Sequence, residues 1–106
     1  MSRKVLEIYD FKVVEGCETR ARICYCINSK WMAFVRNLDS YEKMSEDWEI
    51  MSETLYNQLN LMRIYTSFLE EIGLIRPKKA DEFYSVLDEH QKRIIAVQVE
   101  KCVGKE

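Results

Sequence analysis

From Asp39 to Ile72 the chain runs without a glycine or a proline, and Gly73 closes the run. A stretch with no residue that takes positive φ freely, and none that breaks a hydrogen-bond ladder, reads as one long helix. Large apolar residues recur along it at Tyr41, Met44, Trp48, Met51, Leu55, Leu59, Met62, Tyr65, Leu69 and Ile72, in steps of three and four. That is a heptad-like seam with one irregularity between Leu55 and Leu59. Beyond Leu59 the stripe widens as Leu61, Ile64 and Phe68 join it, which predicts contact on more sides. The expected entry is Leu38-Asp39-Ser40, with Asp39 as cap and Glu42 completing an approximate capping box.

A helix of that length spans about 50 Å. A compact domain of 106 residues has a radius of gyration of only about 13 Å. The helix is therefore expected to kink near Leu55–Leu59, or to have its first half covered by a second copy. The second solution is favoured: a homodimer with Tyr41, Met44, Trp48 and Met51 at the interface.

The N-terminal third reads as strands. Lys4 to Val14 is rich in Val, Ile, Leu, Tyr and Phe, and Glu15-Gly16-Cys17 offers a turn. Thr19 to Ile27 alternates, with Thr19, Ala21, Ile23, Tyr25 and Ile27 on one side and Arg20, Arg22, Cys24 and Cys26 on the other. A period of two is a strand signal. With a turn at Asn28-Ser29 and a third strand over Lys30–Arg36, both hairpins agree on one apolar face: Tyr9, Phe11, Val13, Ile23, Tyr25, Met32 and Phe34. The opposite face carries Lys12, Arg20, Arg22 and Trp31.

After Leu74-Ile75-Arg76, Pro77 suits the first turn of a new helix. Phe83, Leu87, His90, Ile94 and Val97 then step by four and three, with Tyr84, Ile95 and Cys102 widening the stripe. This predicts a helix over 77–103, antiparallel to the first. The β-branched run Ile94–Val99 could instead form a closing strand, but no turn signal precedes it. The expected fold is a single α+β domain over 1–106: a three-stranded antiparallel β-meander (4–36) followed by a hairpin of two long α-helices (39–72 and 77–103) packed on one sheet face.

Charge is unevenly distributed. Residues 1–38 carry a net charge of +3, residues 39–75 carry −6, and residues 76–106 carry +1. Asp39, Glu42, Glu46, Glu49 and Glu53 step by three and four along the side of the long helix opposite its seam, with Asp47 nearby. One reading is a solvated face; the other is a surface for a basic partner.

Chemical motifs are sparse. Three glycines at 16, 73 and 104 cannot build a phosphate loop. His90 is the sole histidine. It lies on an apolar stripe with no nucleophile tied to it by spacing, which reads as a core-edge residue. Cys24-Tyr25-Cys26 lacks the spacing of a zinc site, so no metal or other cofactor is expected. Cys17, Cys24, Cys26 and Cys102 read as reduced thiols of a cytoplasmic protein. No leader and no membrane-spanning run is recognised. The function expected is that of a small non-enzymatic interaction protein, an adaptor or inhibitor. It would bind a protein partner through Glu42, Glu46, Asp47, Glu49 and Glu53. The alternatives are nucleic-acid binding by Lys12, Arg20, Arg22 and Trp31, and a small enzyme of unknown class.

Overall fold

The computed structural model describes residues 18–104. They form three helices: α1 (Glu18–Lys43), α2 (Trp48–Glu71) and α3 (Pro77–Gly104). Among the described residues there is no strand. Successive helices run antiparallel and pack into a rod of 56 × 22 × 22 Å. The expected first strand, residues 4–14, lies outside the described residues. The second and third expected strands are corrected: Thr19–Ile27 and Lys30–Arg36 are both inside α1, so the α+β assignment gives way to an all-α fold.

The reason lies in which period wins. The buried residues of α1 are Ile27, Trp31, Phe34, Val35, Leu38 and Tyr41, with Ile23 half-buried before them. Leaving out Val35, they step by four, four, three, four and three, a heptad sustained over most of the helix. The alternation that suggests a strand is confined to a short window, and one of its members, Tyr25, is 74% exposed. Asn28 and Ser29 make no turn because the helix seam passes through them on both sides.

The long helix expected over 39–72 is also corrected. It is broken at Met44–Asp47, well before Leu55, and its first five residues belong to α1. Asp39 therefore caps nothing; it is mid-helix. The break is made without glycine: Asp47 sits in the left-handed region at φ 59°, ψ 17°, a conformation Asp tolerates better than most residues. Met44 N–H bonds back to the Tyr41 carbonyl at 3.3 Å, tightening the last turn of α1. The ammonium of Lys101 on α3 donates to the Met44 carbonyl and lies 5.6 Å from the Tyr41 ring centroid. A cation from the third helix thus closes the C-terminus of the first.

The second corner is closed by glycine. Gly73 adopts φ 79°. Its N–H bonds the Glu70 carbonyl at 3.1 Å, and Leu74 N–H bonds the Leu69 carbonyl at 2.9 Å. That pair of bonds is a Schellman C-cap. Pro77 then opens α3, which runs unbroken through Ile94–Val99.

The core is three seams. In α2 the buried positions are Trp48, Ser52, Leu55, Leu59, Met62, Thr66 and Leu69, in alternating steps of four and three. Ser52 and Thr66 occupy seam positions that the sequence pattern assigns to Met51 and Tyr65, which are only half-buried. Small side chains there let the neighbouring helices approach, and the Thr66 hydroxyl satisfies itself on the Met62 carbonyl at 2.8 Å. In α3 the buried set is Ala80, Phe83, Leu87 and Ile94, with His90 and Val97 half-buried on the same line. Register between helices is set by polar cross-links at the seam edges. Asn37 Nδ2 donates to Gln58 Oε1 at 3.2 Å, and the Tyr56 hydroxyl donates to Gln98 Oε1 at 2.9 Å. Arg63 Nη2 reaches Asp88 at 2.7 Å and Gln91 at 2.6 Å.

Trp31 is fully buried, so Trp31→Ala should cost roughly 3–5 kcal/mol of stability in a urea titration. The two corners give opposite results. No atom lies within 4 Å of a Cβ added at Gly73, so Gly73→Ala should cost about 1 kcal/mol, from backbone conformation alone. Asp47→Gly should leave stability unchanged or raise it by less than about 1 kcal/mol.

Candidate interaction surface

Two surfaces read from the sequence are dispersed or covered by the fold. Of the expected dimer seam, Tyr41 is wholly buried and Trp48 is 8% exposed, both within the chain's own core. Met44 and Met51 are half-buried against that core. The length argument for a second copy on this seam lapses, because α1 folds back and covers it. Of the nucleic-acid set, Lys12 lies outside the described residues, and Arg20 and Arg22 fall on α1. Trp31 has no free face to stack a base: its ring stacks on Phe34 at 5.4 Å and meets the edge of His90 at 5.3 Å.

The acidic residues come from three elements rather than one helix. Glu42 is near the end of α1 and is paired with Arg93 of α3. Glu46 and Asp47 are in the connector, and Glu49 and Glu53 are in the first turns of α2. Glu46, Asp47, Glu49 and Glu53 are all exposed, around Ile50, which is 68% exposed. Glu49 sits in the first turn of α2, where a carboxylate is favourable.

The outer face of α2 was not anticipated as a surface. Leu61, Ile64, Phe68 and Ile72 step by three, four and four, and they are 44%, 61%, 42% and 38% exposed. At 100° per residue this stripe points away from the seam of Leu55, Leu59, Met62 and Leu69. The sequence pattern reads Leu61, Ile64 and Phe68 as a widening of the core, and it places Ile72 on the seam itself, where the structure leaves it exposed. Among the described residues no sheet covers them, and all four are exposed.

Up to Leu69 the same face is poor in charge, and Glu70 and Glu71 follow at its end. Between Thr54 and Leu69 the sole charged residue is Arg63, and its guanidinium is turned onto Asp88 and Gln91 of α3. In a chain that is 32% charged, sixteen residues would ordinarily carry about five charges; their depletion is the compositional mark of an interface centre. The stripe is flanked by Asn57, Asn60 and Ser67, all exposed. Beside it a groove of about 190 Å³ opens between α1 and α2, lined by Lys30, Ala33, Gln58, Leu61, Met62 and Tyr65. That is below the size of an ordinary small-molecule pocket, and it extends the apolar stripe sideways through Leu61 and Tyr65.

Reactive groups are few. Cys26 and Cys102 are exposed free thiols. Among the described residues no group of three His, Cys, Asp or Glu side chains could hold a metal ion. No helix among them is long and apolar enough to cross a membrane. The Tyr41 hydroxyl is buried beside Ser52 of α2. Burial raises its pKa, and neighbouring Ser52 opposes the rise.

His90 lies at the α1–α3 boundary. Nδ1–H donates to the Val86 carbonyl at 2.8 Å, which leaves Nε2 to take a second proton. The Trp31 and Phe34 rings face it from α1. Burial holds its pKa below 6.5; the Val86 carbonyl opposes the shift, Arg93 adds to it and Glu89 opposes it.

Comparison with known protein families, with curated proteins and with solved structures finds no match to this chain.

Because the pKa of His90 is lowered in the folded state, its contribution is fully present above the unfolded value of about 6.5. It is lost as pH falls from there toward the folded value, since the unfolded chain takes up the proton first. Urea midpoints measured from pH 7.5 to 5.5 should fall more steeply for the native chain than for His90→Gln. Parallel profiles would show that His90 does not contribute to the slope.

Proposed function

We propose that this chain is a non-enzymatic interaction protein that docks a protein partner on the outer face of α2. The observation that carries this reading is the stripe Leu61, Ile64, Phe68 and Ile72, exposed on a helix face from which charge has been withdrawn. Contiguous exposed apolar residues on a soluble domain mark interaction sites, whereas scattered ones carry no message. A helix face with apolar residues at such spacing fits an amphipathic helix, or a groove made by one.

The acidic cluster gives the face a direction. Glu46, Asp47, Glu49 and Glu53 stand at one end of α2, and the apolar stripe occupies the other half. Charged groups outside an apolar centre steer encounter and select orientation more than they add affinity. A partner with a basic segment next to an apolar one would be matched at both ends. The carboxylates orient the partner and the stripe binds it. Glu42, held by Arg93, is left out of the surface.

The test is affinity purification of the tagged chain, with and without nuclease. It is run in parallel on an Ile64→Asp, Phe68→Asp double variant and on a Glu46→Lys, Glu49→Lys, Glu53→Lys variant. Both changes alter exposed positions, so helicity by circular dichroism should be unchanged. The stripe variant should lose its bound proteins altogether. The charge variant should retain them weakly and with a reduced salt dependence. Identical captured proteins in all three preparations, or capture abolished by nuclease, would count against the reading.

A further inference from the structure

We infer that the groove between α1 and α2 docks an acidic amphipathic helix of a partner protein, which seats one large apolar side chain in the groove and pairs its carboxylates with Lys30, Arg22 and Arg36 of α1. The site lies beside the outer stripe of α2 and shares Leu61 with it, but it does not depend on what that stripe binds.

The groove holds about 190 Å³ and is floored by Ala33, Leu61 and Met62. That is room for one Leu, Met or Phe side chain, the dimension of an anchor pocket in a helix-in-groove contact. Ala33 makes the space, as a small residue between the longer Lys30 and Asn37 on the same side of α1. The rim offers donors. Lys30 lines it, and Gln58 Oε1 is taken by Asn37, which leaves Gln58 Nε2 to donate. An occupant that brings carboxylates alongside its apolar residue meets both.

Charge selects the occupant. From Arg22 to Leu38 every charged residue is basic: Arg22, Lys30 and Arg36. All three are exposed, and among the described residues none is in an ion pair, whereas Arg63 and Arg93 are held by carboxylates. The carboxylates nearest in sequence are Glu18, at the start of α1, and Asp39, half a turn round the helix from Lys30. The facing helix adds none. Tyr56 and Arg63 reach α3 and so mark one side of α2, and at about 100° per residue Glu49, Glu53, Glu70 and Glu71 fall on that side. The side toward α1 carries Thr54, Gln58, Leu61, Tyr65 and Ile72, all uncharged. The three cations rise along α1 by about 12 and 9 Å, close to two helical turns each, so carboxylates two turns apart on a partner helix meet them in register. Lysines in those places would set like charge against like. The apolar groove favours a helix over a nucleic-acid strand, which has no apolar side chain to seat.

The experiment is a fluorescence-anisotropy titration with the full chain from about 1 to 200 μM, a range that captures a micromolar dissociation constant. The probes are two labelled helical peptides of about 18 residues with the same Leu and Phe seam, one flanked by Glu and the other by Lys. The Glu peptide should bind about tenfold more tightly than the Lys peptide or better, and added salt should narrow the difference. Lys30→Glu should weaken the Glu peptide by about tenfold or more, and so should Ala33→Met, which fills the groove. Lys30 is exposed, so its variant tests the site even where Ala33→Met disturbs the packing. The Ile64→Asp, Phe68→Asp double variant should leave affinity for the Glu peptide unchanged, which separates this groove from the outer stripe. Equal binding of the two peptides overturns the inference, as does binding of neither, or Glu-peptide binding that survives Lys30→Glu. A labelled poly(dT) strand that binds where the Glu peptide does not, and is lost with Lys30→Glu, identifies a phosphate site and overturns it as well.

Discussion

The bundle exists because its longest glycine-free run turns back on itself at Asp47. From Cys17 to Ile72 there is neither glycine nor proline, and a continuous helix over that length would leave its seam in water. Conformational strain at one Asp is small beside the burial it permits. The turn lets Trp31, Phe34, Leu38 and Tyr41 meet Trp48, Leu55, Leu59 and Met62 from the same chain. Apolar burial at about 25 cal/mol per Å² for side chains of this size outweighs one residue held in a left-handed conformation. The corner is then held from outside by Lys101, whose ammonium reaches the Met44 carbonyl, so α3 reports on whether α1 has ended correctly.

Three heptad seams share one core, and apolar packing alone would tolerate sliding by a turn. The polar links remove that freedom. Asn37 with Gln58, Tyr56 with Gln98, and Arg63 with Asp88 and Gln91 each join two helices at a defined height. Ser52 and Thr66 do the complementary work inside, where a larger residue would push the helices apart. The half-buried His90 packs against the Trp31 and Phe34 rings of α1, and its burial there favours the neutral imidazole.

With the acidic residues spread over α1, the connector and α2, the most distinctive part of the exterior is the charge-poor back of α2 between Thr54 and Leu69. It is the face that neither α1 nor α3 reaches. A three-helix arrangement buries one side of each helix, and α2 carries apolar residues on two. The second stripe has no internal partner among the described residues, and that surplus is what points outward.

Much of α2 and α3 was legible in the sequence, because heptad spacing, Gly73 and Pro77 act locally and need no neighbours. The break at Met44–Asp47 was not, since Ser45, Glu46 and Asp47 are all residues a helix accepts; only the gain from folding back distinguishes them. The helix of α1 was misread because Thr19–Ile27 alternates over a short window, while its heptad becomes plain only when Ile23 is followed to Tyr41. Leu61, Ile64 and Phe68 were recognised as an apolar set, but whether such a set faces a core or a solvent depends on what else the chain brings there. Where apolar side chains recur, and where α2 must end at Gly73, can be read from the order of residues alone. Tertiary structure decided which of two apolar stripes on α2 is buried, because burial is a property of neighbouring surfaces and periodicity is a property of one helix.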